Sequence, residues 1–172
     1  MRNKIKAMCR IALGGAILCL ISPWAVPAGG VPISLSLLAM LLISTIFPWR
    51  TALGAVIVYV ALGTVGIPVF AGFAGGFQVI VGPTGGFILS YPIIAFLVSR
   101  FKGNFTKNII LGFISAIICY VLGSLWFSFT TNTIFLSSLT TVVVSCIIPD
   151  TAKIICAAIL ADLLKTRLEI KE

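Results

Sequence analysis

The stretch LTTVVVSCIIPDTAKIICAAILA, residues 139–161, decides the fold class of this chain. Its 23 residues are apolar apart from small hydroxyl side chains and the charges of Asp150 and Lys153. A helix rises about 1.5 Å per residue, so a segment of this length spans a hydrocarbon layer of about 30 Å. An ionised group at mid-membrane costs about 2.5–3.5 kcal/mol on insertion scales, so charges there need a partner or a task. Asp150 and Lys153 are three residues apart, on one helix face and within mutual reach. They are either a self-neutralising pair that eases insertion or the polar anchor of a binding pocket. Pro149 precedes them and removes the helical hydrogen bond to the carbonyl of Ser145, which predicts a kink with a spare acceptor.

The rest of the chain resembles this stretch. Of 172 residues, 60% are hydrophobic and 9% charged, against about 25% charged in soluble domains. Only seven charged residues fall between 11 and 164: Arg50, Arg100, Lys102, Lys107, Asp150, Lys153 and Asp162. Apolar runs occupy 11–24, 33–47, 52–66, 86–98, 109–129 and 139–164, which predicts an all-α integral membrane protein. Residues 1–172 would form a single six-helix transmembrane domain with no separate soluble part. The connections 25–32, 67–85 and 130–138 carry no charge, whereas those between carry Arg50 and then Arg100, Lys102 and Lys107. Since lysine and arginine are retained in cytoplasmic loops, this alternation predicts both termini in the cytoplasm. The basic N-terminus followed by an apolar run also has the outline of a signal peptide; the expectation is that it is kept as the first helix. Asp162 reads as an interfacial residue paired with Lys165.

Several function classes are excluded by composition. The net charge of +8 lies in clusters beside apolar runs, without the aromatic interleaving of a nucleic-acid surface. The five cysteines (Cys9, Cys19, Cys119, Cys146, Cys156) lack CxxC spacing and no histidine is present, so no metal set or cofactor is expected and the thiols read as small buried hydrophobes. Of four carboxylates, Glu169 and Glu172 lie in the C-terminal tail, which leaves too little acid–base chemistry for an enzyme.

Two glycine-rich pieces remain. Residues 67–86, IPVFAGFAGGFQVIVGPTGG, are apolar yet unsuited to a regular helix. Irregular backbone at membrane depth is tolerated only against protein or a water-filled cavity, so this segment is predicted to fold back as a lid or cavity wall. Within it GPTGG (82–86) lacks the Lys-Ser/Thr of a nucleotide cradle and is either a structural turn or a ligand-lining one presenting Thr84. Phe70, Phe73, Phe77 and Tyr91 are candidates for an apolar wall. In the first run Ala12 and Ala16 flank Gly14 and Gly15, a small-residue surface for close approach of another helix, internal or external.

Together GIPVFAGFAGG (66–76), GPTGGFILSYP (82–92) and IIPDTAK (147–153) resemble the BioY family, the biotin-binding S components of energy-coupling factor transporters. The resemblance implies a compact six-helix bundle in the bacterial inner membrane. It would capture biotin under an extracellular lid between helices 3 and 4, with a contribution from the first extracellular loop. Energy would come in trans from a transmembrane coupling protein and two ATPases, met through Ala12 and Ala16. Carried over by position, the expected ligand-binding residues are Asp150, Lys153, Gly82, Thr84, Gly85 and Gly86, joined by Phe73, Gly75, Gly76, Phe77 and Tyr91. Phe87 stands where the family commonly has tyrosine, and Ser36, in VPISLSLL (31–38), where it commonly has glutamine. Transport by the chain alone, as a homo-oligomer, is an open alternative. So are an S component for another small vitamin and a non-transporting membrane scaffold.

Overall fold

The computed structural model describes residues 2–27 and 32–168. Among them are helices α1 (Arg2–Ile21), α2 (Ser36–Ile46), α3 (Trp49–Val65), α4 (Phe77–Val81), α5 (Gly85–Phe101), α6 (Phe105–Thr131) and α7 (Phe135–Leu168), with a hairpin of β1 (Ala25–Val26) and β2 (Ile33–Ser34). Each apolar run overlaps a helix, and α4 is additional. The 33–47 run begins outside its helix: Ile33 pairs with Val26 and Ser34 with Ala25, and Leu35 donates its N–H to the Trp24 carbonyl at 3.0 Å. Two helical stretches, Phe105–Thr131 and Phe135–Leu164, are long and apolar enough to cross a membrane, while α2, α3 and α5 are apolar but shorter.

Helical spacing explains the packing. In α3 the buried positions Ala52, Ala55, Val56, Tyr59 and Gly63 recur every three or four residues, and in α5 Ile88, Tyr91, Ile94, Ala95 and Val98 do the same, each forming one inward stripe. The opposite faces are also apolar: Val65, Phe129 and Ile148 are more than three-quarters exposed. In water that surface would be unsupportable; against lipid it is expected. Small residues set the closest approaches. Gly14 of α1 faces α3 so tightly that an added Cβ would stand 2.9 Å from Ala55 Cβ. Gly14 and Gly15 are buried whereas Ala12 and Ala16 are exposed, so the glycines carry the internal packing and the alanines face outward.

The two ends of the bundle differ in charge. At one end the Lys102 ammonium, following α5, donates to the carbonyls of Ile46 and Phe47 at 3.2 and 3.3 Å. It thereby closes the C-terminus of α2 and draws the junction bearing Arg50 beside the one bearing Lys107. At the other end the uncharged hairpin meets the glycine segment: Gly72 N–H donates to the Pro23 carbonyl at 2.8 Å, and Trp24 packs edge-on to Phe73 at 5.6 Å. Gly66 (φ +115), Gly72 (+73), Phe73 (+58) and Gly76 (+101) make the reversals of that segment, conformations that cost a Cβ-bearing residue energy. α7 stays helical on both sides of Pro149.

Candidate functional site

The site begins on α7. One turn of helix brings Lys153 Nζ to 2.6 Å from Asp150 Oδ1, and both residues are only 7% exposed. From α6 the Tyr120 hydroxyl donates to Asp150 Oδ2 at 2.7 Å. Both carboxylate oxygens thus hold a donor, and the group carries no net charge. A carboxylate oxygen accepts more than one bond and an ammonium has three donors, so capacity is left on both members.

This group lines a cavity of about 100 Å³ whose other walls are Ser34 and Leu37 beside the hairpin, Tyr59 of α3, Ala71 and Ala74 of the glycine segment, and Val79, Thr84, Phe87, Ile88 and Tyr91 across α4 and α5. Cys119 and Cys146 complete it next to the charged pair. The aromatic walls are fixed from behind. Tyr59 lies edge-on to Phe70 at 5.6 Å and tilted against Tyr91 at 6.4 Å, and Phe70 itself is 1% exposed. Phe87 sits over Gly123 of α6, where any Cβ would strike its ring. Ser34 Oγ donates to Ser36 Oγ at 2.9 Å, so the cavity wall carries a hydroxyl as well as the ion pair. A concave, mostly apolar chamber with a few convergent polar groups is the usual form of a small-molecule site.

Of the residues expected at a site, the structure brings Asp150, Lys153, Thr84 and Tyr91 to the cavity surface. The glycines stand behind it. Gly85 and Gly86 are buried against α6, where a Cβ on Gly86 would lie 2.8 Å from the Leu122 carbonyl and 2.9 Å from Trp126 Cγ. The Gly82 carbonyl accepts the Trp126 indole N–H at 2.9 Å. Gly75 lets the chain cross residues 66 and 67, a Cβ there falling 2.9 Å from the Gly66 carbonyl, and Gly76 N–H donates to the Gly63 carbonyl at 2.7 Å. Phe73 and Phe77 are 57% and 64% exposed, because the positive φ angles at 73 and 76 turn them away from the chamber. Phe70 backs the wall instead of forming it.

Tyr120, Tyr59, Ser34 and Cys146 are at the cavity without having been singled out. A tyrosine in an apolar run reads as core, and only the third dimension aims its hydroxyl at Asp150. The thiols also divide: Cys119 and Cys146 are buried, as expected, whereas Cys9 and Cys156 are exposed, being on outward faces where an apolar environment suits a thiol equally. Asp162 is exposed; the Lys165 side chain expected to pair with it, like Glu169 and Glu172, lies outside the described residues. Among those residues no group of three or more potential ligands could hold a metal ion.

The sequence model of the BioY family matches residues 1–170. The chain is 37% identical over 134 residues to "Biotin transporter BioY2" of Lactococcus lactis subsp. cremoris (strain MG1363), covering 76% of this chain and 74% of that one. It is 30% identical over 162 residues to "Probable biotin transporter BioY" of Pyrococcus horikoshii, covering 94% and 98%. The crystal structure of an S-component for biotin from an ECF-type ABC transporter superposes with a TM-score of 0.88 over 96% of this chain and 93% of that chain, at 24% identity, a likeness of fold.

Proposed function

Because the chain belongs to the BioY family, whose named relatives are membrane transporters and not enzymes, we propose that it is the biotin-binding S component of a vitamin uptake system. The observation that carries this reading is the mostly apolar chamber with a buried ion pair in its wall. The buried group made by Asp150, Lys153 and Tyr120 is neutral overall, so the ligand group that suits it is neutral and bears both donors and an acceptor. The ureido ring of biotin has that form: its two N–H groups find free lone pairs on the Asp150 carboxylate, and its oxygen finds a free ammonium donor on Lys153. A second carboxylate at the same place would face Asp150. The thioether ring suits the walls of Tyr59, Phe87, Ile88 and Tyr91, and the low dielectric strengthens each polar contact.

In this reading the helices cross the bacterial inner membrane several times with both termini inside, in keeping with the gathering of Arg50, Lys102 and Lys107 at one end of the bundle. The glycine segment and α4 form the lid on the outer side. The chain has no nucleotide-binding motif, so work is done in trans by a coupling protein and two ATPases, and the exposed Ala12 and Ala16 of α1 offer the surface for that contact.

Titration calorimetry of the purified chain with biotin and a panel of other water-soluble vitamins tests the assignment. The expected result is tight 1:1 binding of biotin with the others at least 100-fold weaker. Tight binding of a different vitamin with none of biotin overturns the substrate, and no binding at all makes the chain a scaffold.

A further inference from the structure

We propose that Trp126 is a positioning residue for the ligand chamber: its indole N–H pins the turn between α4 and α5 and so sets how often the roof opens. The inference rests on the reading of that chamber as the binding site. Trp126 does not line the chamber. It stands on α6 with one face in a separate apolar groove beside Leu89, Leu122, Leu125 and Phe129, on the outside of the bundle.

Its reach inward is specific. The Gly82 carbonyl accepts from Trp126 Nε1 at 2.9 Å and from Gly85 N–H at 3.0 Å, so both its lone pairs are used. Gly86 makes the approach possible, since a Cβ there would lie 2.9 Å from Trp126 Cγ, whereas Gly85 is required first by the α4 backbone, a Cβ there running into the Ile80 carbonyl.

The pin matters because of what it holds. Val79 and Thr84, on either side of the turn, are part of the chamber wall, yet none of the five residues of α4 is buried. α4 is therefore held by one face alone, Val79 and Ile80 packing half-buried against the core. At its front it hangs from the Gly76–Gly63 hydrogen bond of 2.7 Å, after a run with positive φ at Gly66, Gly72, Phe73 and Gly76. At its back it hangs from Trp126. A leucine would fill the outer groove as well as an indole; what it would lack is the donor. A chamber of about 100 Å³ is also smaller than the roughly 300 Å³ and upward of typical ligand sites, so a ligand that widens it on the α4 side works against the pin.

Cys119 and Cys146 line the chamber and report its opening without any ligand. In a background with Cys9, Cys19 and Cys156 changed to serine, ligand-free protein in lipid nanodiscs is exposed to a small maleimide and followed by intact mass. For Trp126→Phe, losing one neutral hydrogen bond predicts labelling about 2- to 12-fold faster, and biotin dissociation faster by a similar factor. Leu122→Ala, which trims the outer groove without touching the pin, should lower the melting temperature and leave labelling at the parental rate. If Trp126→Phe fails to fold, benzothienylalanine at 126, isosteric but without the N–H, replaces it. Labelling at the parental rate in the donor-less protein, or equal acceleration in Leu122→Ala, overturns the proposal. Faster labelling in a chain whose parent binds no biotin upholds the pin and defeats the ligand assignment instead.

Discussion

The double substitution Asp150→Asn with Lys153→Met separates a ligand site from a pair that merely steadies the bundle. Lys153→Met alone leaves a carboxylate only 7% exposed with the Tyr120 hydroxyl at 2.7 Å as its hydrogen-bond partner among the described residues. Breaking a buried pair in this way costs about 3–5 kcal/mol of stability, so the single variant should melt well below the parent. Replacing both members by neutral groups of similar size removes the stranded charge, and such exchanges are often neutral or stabilising by about 1–4 kcal/mol. The double variant should therefore recover the melting temperature. Biotin affinity should not recover with it. Each charge-assisted hydrogen bond contributes about 1.5–3 kcal/mol, and losing one from each member removes at least about 3 kcal/mol, or about 100-fold in Kd. Thermal unfolding followed by tryptophan fluorescence gives the first quantity and calorimetric titration the second. A double variant that melts like the parent and still binds biotin within about threefold of it would show that the pair serves the fold alone, and the site would have to be sought elsewhere.

Three further outcomes follow from the same geometry. Tyr120→Phe keeps the ring and removes the donor 2.7 Å from Asp150 Oδ2, so melting should fall by the equivalent of about 1.5–3 kcal/mol and calorimetry should show biotin bound about 3- to 10-fold more weakly. Gly123→Ala places a methyl group against the Phe87 ring and drives that ring toward the chamber; overpacking of about 1–3 kcal/mol should appear as lowered melting and, more sharply, as reduced biotin affinity, whereas unchanged affinity would mean that Phe87 moves away from the ligand. Ala12→Leu with Ala16→Leu alters the outward face of α1 and leaves Gly14 and Gly15 in place, so biotin binding by the isolated chain should persist while co-purification with the coupling protein is lost. Retained co-purification would move the contact to another face.

Alternating charged and uncharged connections were enough to sort the junctions into two ends, because each lysine or arginine must reach water or headgroups wherever the helices lie. Asp150 and Lys153 were legible for a related reason: a helix fixes the geometry of residues three apart regardless of its neighbours. What sequence could not supply was aim. Phe73 and Phe77 look like wall residues until the left-handed backbone at 73 and 76 turns them outward. Conversely Tyr59 and Tyr120 look like core until α3 and α6 rotate them onto one chamber. The GPTGG turn leaves structure and ligand open in sequence: in the fold Thr84 lines the chamber while the Gly82 carbonyl meets Trp126, 44 residues away, beyond any local pattern.

The build of the proposed chamber also bears on how such a site would combine affinity with release. Its rigid half is built from α3, α5, α6 and α7, where Tyr59, Ile94, Ser115 and Ile154 are at most 2% exposed and hold the Asp150–Lys153–Tyr120 group in one arrangement before any ligand arrives. Pre-organised polar groups lose little entropy on binding, which favours affinity. Its yielding half is the segment from Gly72 to Gly82, beyond the buried anchor of Val69 and Phe70, with three residues at positive φ and a helix without buried residues. Such poorly buried backbone opens at low free energy. Moving the glycines into helix-forming sequence would stiffen that half and slow entry as well as exit, leaving Kd less altered than either rate. Replacing Gly72, which no neighbouring atom crowds within 4 Å, by alanine isolates this effect, since only its φ of +73 opposes the change. The strain falls on the closed segment and is relieved when it opens, so stopped-flow measurements on Gly72→Ala should show faster dissociation of biotin with an unchanged melting temperature of the ligand-free bundle. Dissociation at the parental rate would place the yielding part of the chamber outside this segment.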